Sequence, residues 1–238
     1  MSILTELSKI KQAESWGSHI PVNAALCSTY NITGVIELGC GNFSTKVFRN
    51  YANKVLSIEN DASWYDKVRK EFGEDENNKF ILHTLGDGIR VHTKRWELTK
   101  EKIKEVENYY SNLNTDGYNF LFVDQYASTR RSALDVLHHK FDIIVYHDCQ
   151  NNNPTRPGHT NHSYEMDPDV GTFIPHEDYF MIHDKTMTNG QWTGILIHKN
   201  LMQDFNDFLV THQKMCSEFT NHKPCMDIVY ESGPRTNN

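Results

Sequence analysis

The sequence predicts an α/β protein built on a doubly wound, mostly parallel sheet. Two observations carry this reading. Five short strands alternate with helical stretches, the rhythm of parallel crossover connections. Those strands are also nearly continuous apolar runs, as expected of a sheet covered on both faces. At 238 residues the chain suits one domain with a substantial core.

The first 30 residues read as a helix and its approach, with Leu4, Leu7, Ile10 and Ala13 on one side at helical spacing. The first strong strand is Gly34 to Leu38, closed by Gly39-Cys40-Gly41, and Ser44 and Thr45 allow a helix to start directly afterwards. A second strand, Lys54 to Ile58, ends in Glu59-Asn60-Asp61. An amphipathic helix follows over Ala62 to Phe72, broken by the polar run GEDENN. The third strand covers Phe80 to Leu82 or a little more and precedes Gly86-Asp87-Gly88; a charged helix lies between Thr93 and Tyr110. Strand four is Tyr118 to Asp124. A helix from about Thr129 to His139 leads to strand five, Asp142 to Tyr146, which ends at His147-Asp148.

After residue 148 the rhythm changes. Residues 149–172 hold three prolines and little apolar content, and a stretch of this length without structure of its own reads as a lid or substrate wall. Two further strands, Tyr179 to His183 and Trp192 to His198, read as an antiparallel pair at the sheet's edge. Residues 200–219 read as a last helix. The expected organisation is an N-terminal helical extension over 1–32, the sheet domain over 33–199, and a C-terminal helix and tail over 200–238.

Composition narrows the function classes. Hydrophobic residues at 38% and charged residues at 23% exclude a disordered or fibrous chain. No apolar run approaches the roughly 18 residues of a membrane helix, and the opening MSILTELSKIKQAESWG does not read as a secretory leader. A cytoplasmic protein without a membrane partner is expected. With 24 Lys+Arg against 31 Asp+Glu, the net charge of -7 disfavours bulk nucleic-acid binding. Five scattered cysteines with no CxxC pair favour neither a thiol redox centre nor a cysteine-rich zinc knuckle. The His159-x-x-His162 pair lacks the further ligands of a tetrahedral zinc site.

The sharpest motif is Glu37-Leu38-Gly39-Cys40-Gly41-Asn42-Phe43-Ser44-Thr45. Strand, glycine turn and helix start in succession let a ligand approach backbone at the usual crevice of an open parallel sheet. Glu59 closes the second strand 20 residues after Gly39, where an acid can hold a ribose hydroxyl pair. Asp87 occupies the next position along the rim. Ser44 stands where a dinucleotide fingerprint has its third glycine, which favours a nucleoside without a pyrophosphate. Glu37 points the same way, since an acid there suits a ligand amino group better than phosphates.

ELGCGNFST followed by SIEND resembles the cofactor site of the class I S-adenosylmethionine-dependent methyltransferases. The resemblance covers roughly residues 33–198. It implies a Rossmann-like fold with a seven-stranded sheet whose last strand is antiparallel, and S-adenosylmethionine as cofactor. It also implies a binding set of Glu37, Gly39, Gly41, Glu59 and Asp87. A further similarity is to bacterial and viral methyltransferase-like proteins, whose pattern Trp64 fits. That tryptophan either packs near the adenine or holds its helix down.

Asp124 and Asp148 end adjacent parallel strands about 5 Å apart, so their carboxylates can share one ligand. Such a pair suits Mg²⁺, which could orient an acceptor hydroxyl and lower its pKa. FLFVDQYASTRR and IIVYHDCQNNNPTRPG resemble the metal acids of the catechol-type O-methyltransferases, departing from them at Cys149, where that family has Asn. Without a metal, Asp124 would contact substrate and Asp148 would pair with Arg130, Arg131 or Arg156. His147 is a candidate general base, and Arg130 and Arg131 are candidate receivers of an anionic substrate group. The catalytic candidates are therefore Asp124, His147 and Asp148. The activity so implied is methyl transfer to an oxygen, less readily a nitrogen, of a small or modular substrate. The competing readings are a non-catalytic accessory protein, a NAD-dependent oxidoreductase and a nucleic-acid methyltransferase.

Overall fold

In a computed structural model of the chain, residues 2–11, 13, 17–86, 89–90, 93, 95–147, 175–186, 192–220 and 223–230 are described. The strands are β1 (Val35–Leu38), β2 (Val55–Glu59), β3 (Asn78–Leu82), β4 (Phe120–Val123), β5 (Ile143–His147), β6 (Tyr179–Asp184), β7 (Thr193–His198) and β8 (Met226–Tyr230). They form one sheet in the order β3-β2-β1-β4-β5-β7-β6-β8. The first five run parallel, while β7 is antiparallel to both β5 and β6. All seven expected strands are present, in a Rossmann-like methyltransferase fold. The eighth, β8, pairs antiparallel with β6 and lies in the segment read as helix and tail.

Period-two alternation explains how this sheet is covered on both faces. Ile36, Leu38, Leu121, Val123, Ile144 and Tyr146 enter one core. They meet Val106 and Tyr110 of α5 (Lys100–Ser111) and Leu134 and Leu137 of α6 (Ala127–Leu137). Val35, Phe120, Phe122, Ile143 and Val145 enter the other core, against α2 (Ile20–Thr29) and α7 (Phe205–Phe219).

The N-terminal segment folds differently from the single expected helix. Helix α1 stops at Leu7 (Ile3–Leu7), and Ile10, expected on its buried side with Leu4 and Leu7, is exposed. The buried helix of this region is α2, apolar from Ile20 to Cys27 on every side except Asn23, with Pro21 in its first turn, where no N–H is needed. A helix buried all round shows no periodicity, which is why the sequence pattern did not separate it. Among the described residues no helix is long and apolar enough to cross a membrane.

Two helices start at the site itself. Helix α3 (Ser44–Tyr51) rises straight from the glycine turn, and α4 (Ala62–Phe72) is capped by Asp61, whose carboxylate accepts from the Trp64 backbone N–H.

Candidate functional site

The strand order reverses between β1 and β4, the switch point where an open α/β sheet leaves a crevice at its C-terminal edge. Gly39 and Asp124 face each other across it. Register pairs Leu38 with Val123, and the ladder runs one step further, with Asp124 N–H donating to the Leu38 carbonyl at 2.7 Å. Gly39 has φ +87°, and a Cβ there would lie 2.5 Å from the backbone C of Asp124 and N of Gln125. Only glycine permits that approach. Gly41 differs: an added Cβ would meet nothing closer than Ser44 Oγ at 3.4 Å, so the space beside it is open.

Glu37 lies beneath the turn, fully buried, opposite Ser57 in register. Its Oε2 accepts from Thr45 Oγ1 at 2.8 Å and Ser57 Oγ at 2.5 Å, while Thr45 Oγ1 accepts from the Gly41 N–H at 3.0 Å. The acid therefore shapes the turn through Thr45. Its Oε1 is buried without a hydrogen-bond partner. Burial pushes the Glu37 carboxyl up to about 7, opposed by the hydroxyls of Ser44, Ser57 and Thr45 and assisted by the charge of Glu59.

An acid that binds its proton more tightly when folded stabilises the fold fully below its ordinary value of 4.5 and loses that contribution as pH rises through about 7. The loss is on the order of 3 kcal/mol. His19, whose burial beside His147 lowers it to about 3, works in the opposite sense: its contribution is present above 6.5 and lost as pH falls. The comparison that isolates Glu37 is therefore wild type against Glu37→Gln in urea unfolding from pH 5 to 8. The wild type should lose stability relative to the variant across that range, and parallel curves would show that Glu37 does not titrate there.

Glu59, at the end of β2, is 5% exposed and largely engaged. Oε1 accepts from the N–H groups of Asn60 at 2.7 Å and Asp61 at 2.9 Å, and Oε2 from the N–H of Cys40 at 3.1 Å. A carboxylate has about four acceptor positions, so little beyond the place of the Cys40 thiol, 3.6 Å from Oε2, is left for a ligand hydroxyl. Trp64 donates its indole N–H to the Cys40 carbonyl at 2.6 Å, fastening α4 to the glycine turn. Tyr126 hydroxyl donates to Asp61 at 3.2 Å and links this side of the rim to the end of β4.

On the other side of the switch point stand Asp124, His147 and Arg130. Asp124 Oδ1 accepts from Arg130 at 2.8 Å and lies 3.4 Å from His147 Nδ1. Arg130 also donates to the carbonyls of Gln125 and His147 and is 7% exposed, so it braces the ends of β4 and β5 from inside. Arg131 instead pairs with Asp135 one helical turn on, with a quarter of its side chain exposed.

Sequence reasoning missed Ser18 and His19. Ser18 Oγ lies 2.7 Å from His147 Nε2, and one ligand atom of each of His19, Asp124 and His147 falls within 4.8 Å of the others. No local pattern in Gly17-Ser18-His19-Ile20 signals this, because the contact spans 129 positions of chain. The Asp124–Asp148 pairing expected from the sequence is not visible: Asp148, Asp87 and the 149–172 segment lie outside the described residues. Around Asp124, the described metal-capable donors are two imidazoles.

No protein-family model and no curated protein matches the chain. Solved structures do. The chain is similar to the N-methyltransferase NodS from Bradyrhizobium japonicum WM9, with 10% identity over 76% of this chain and 94% of that one and a TM-score of 0.50. An rRNA methylase from Streptococcus thermophilus matches at 9% identity over 74% and 93%, with a TM-score of 0.45. At such identities the NodS likeness concerns the fold alone, and the weaker match adds no argument.

Proposed function

We propose that the chain binds S-adenosylmethionine at the C-terminal edge of the sheet and transfers its methyl group to an oxygen of a small or modular acceptor. The observation that carries this reading is the close approach of Gly39 to Asp124 at the switch point, which puts an open glycine turn and a catalytic-type acid on one crevice. In this reading Gly39, Gly41 and Glu37 receive the amino-acid part of the cofactor, Glu59 takes a ribose hydroxyl, and Asp87 stands by the adenine.

The acceptor oxygen attacks the methyl carbon in line, the carbon–sulfur bond breaks, and S-adenosylhomocysteine leaves. Positioning supplies most of the rate. The acceptor's proton passes to the Asp124–His147 pair, which the Ser18 hydroxyl orients. Asp148, next in sequence, completes the proposed catalytic group; with Asp124 it would hold Mg²⁺, which would lower the pKa of the acceptor hydroxyl.

Arg130 and Arg131 are the proposed receivers of an anionic group on the acceptor. Arg130 is held by Asp124 and two carbonyls, and Arg131 pairs with Asp135.

Isothermal titration with S-adenosylhomocysteine and with NAD, each with and without Mg²⁺, tests the reading. S-adenosylhomocysteine should bind and NAD should not. Binding of NAD alone, or of neither at up to about 1 mM, a strength of roughly 4 kcal/mol, would overturn it. A requirement for Mg²⁺ would support the two-acid arrangement.

A further inference from the structure

His19 and His147 come from distant parts of the chain and meet the carboxylate of Asp124, with one ligand atom of each inside 4.8 Å. We propose that these three residues bind a divalent transition metal of the Zn²⁺ or Co²⁺ kind at the C-terminal ends of β4 and β5. The inference stands on this cluster and does not depend on the methyl-transfer reading.

Three features of the geometry support it. First, His147 Nδ1 and Asp124 Oδ1 are 3.4 Å apart. Two ligands of a tetrahedral site with bonds of about 2.05 Å stand about 3.4 Å from each other, which is the separation of these two. The ligand atom of His19 lies within 4.8 Å of the other two, so a movement of up to roughly 1.5 Å closes the set.

Second, His147 has the outer support of a metal ligand. With Nδ1 giving its lone pair to the ion, the proton sits on Nε2, and Ser18 Oγ at 2.7 Å accepts it.

Third, His19 is 3% exposed, and neither ring nitrogen has a hydrogen-bond partner. Burying an imidazole in this way carries a free-energy cost that a metal bond would remove. The ring is held in place against Phe122, with centroids 5.1 Å apart, and edge-on to His147 at 4.6 Å.

The chemistry of the donors selects the ion. Arg130 places a positive charge 2.8 Å from the Asp124 oxygen, which weakens any cation held by charge alone. An ion that gains from imidazole nitrogen tolerates this better than Mg²⁺ or Ca²⁺, which prefer oxygen. Three protein ligands leave a fourth position open to water or an acceptor hydroxyl. A metal held there would lower the pKa of a water or hydroxyl in the open position.

The full chain, stripped of metal with a chelator, should be titrated with Co²⁺ and followed by its visible ligand-field bands. One equivalent should saturate, Zn²⁺ should displace it, and a large excess of Mg²⁺ should not. His19→Phe keeps an aromatic ring against Phe122 and should weaken Co²⁺ binding more than tenfold. Ser18→Ala, the milder variant, should weaken it roughly tenfold through His147. No saturable spectrum, an unchanged spectrum in both variants, or displacement by Mg²⁺ would overturn the assignment. S-adenosylhomocysteine binding measured on the same stripped protein separates the two readings: a bound nucleoside without a Co²⁺ spectrum removes the metal alone, and the reverse removes the cofactor alone.

Discussion

Gly39→Ala is expected to abolish S-adenosylhomocysteine binding and to lower the stability of the fold by about 2–4 kcal/mol. Both effects share one cause. The added methyl would stand 2.5 Å from the main-chain atoms of Asp124 and Gln125, which cannot swing aside as a side chain could. At φ +87° the alanine backbone is itself strained, adding about 1–2 kcal/mol. Relief requires β1 and β4 to part where the proposed cofactor bridges them. Gly41→Ala provides the control. Its methyl meets only Ser44 Oγ at an ordinary 3.4 Å, so the unfolding midpoint should hold while the methyl intrudes on the ligand's space and binding weakens. Urea unfolding and calorimetric titration of both variants give the comparison. A Gly39→Ala protein with wild-type midpoint and affinity would show that the two strand ends do not touch as described.

Glu59→Ala should be nearly as damaging, for a different reason. The substitution leaves the N–H groups of Cys40, Asn60 and Asp61 without their acceptor, and a buried donor left unpaired costs about 1–3 kcal/mol. Water entering the vacated space offsets part of this, so a loss of about 3 kcal/mol is expected. Nucleoside affinity should fall at least tenfold, since the glycine turn is anchored through Cys40. That result alone does not separate ribose binding from turn anchoring. A ligand lacking the ribose 2′-hydroxyl does, when titrated against the wild-type protein. If Glu59 takes that hydroxyl in place of the Cys40 thiol contact, the deoxy ligand should bind about tenfold more weakly, the worth of one charge-assisted hydrogen bond. Equal affinities would leave Glu59 as the anchor of the turn and nothing more.

The parts of the site that were legible from sequence are those written in a few neighbouring residues. A run of apolar residues ended by glycine or by polar residues announces its own C-terminal end, so Glu37, Glu59, Asp87, Asp124 and Asp148 could be expected along one rim from the sequence. Trp64 was readable only as a pair of alternatives, and its hydrogen bond to the Cys40 carbonyl agrees with holding its helix down. Arg130 was legible as a cation near the crevice, but its direction was not. The helix start at Ala127 sets its side chain back under the strand ends, against Asp124 and the Gln125 and His147 carbonyls. Strand β8 was missed because Met226–Tyr230 follows a helix read as the last element, and a five-residue strand has no signal until an edge such as β6 is there to receive it.

Local pattern and short-range turn chemistry determined that this chain forms a doubly wound sheet and carries acids at its strand ends, because both follow from side-chain periodicity and backbone sterics within a few residues. The company those acids keep depends on where distant segments pack. Helix α2 is apolar on nearly every side and buries itself against the sheet, and in doing so it delivers Ser18 and His19 to His147 and Asp124. Burial of that helix is set by the total apolar area removed from water. No short stretch of sequence encodes such a sum, so the meeting of two imidazoles with one carboxylate was decided by the tertiary structure alone.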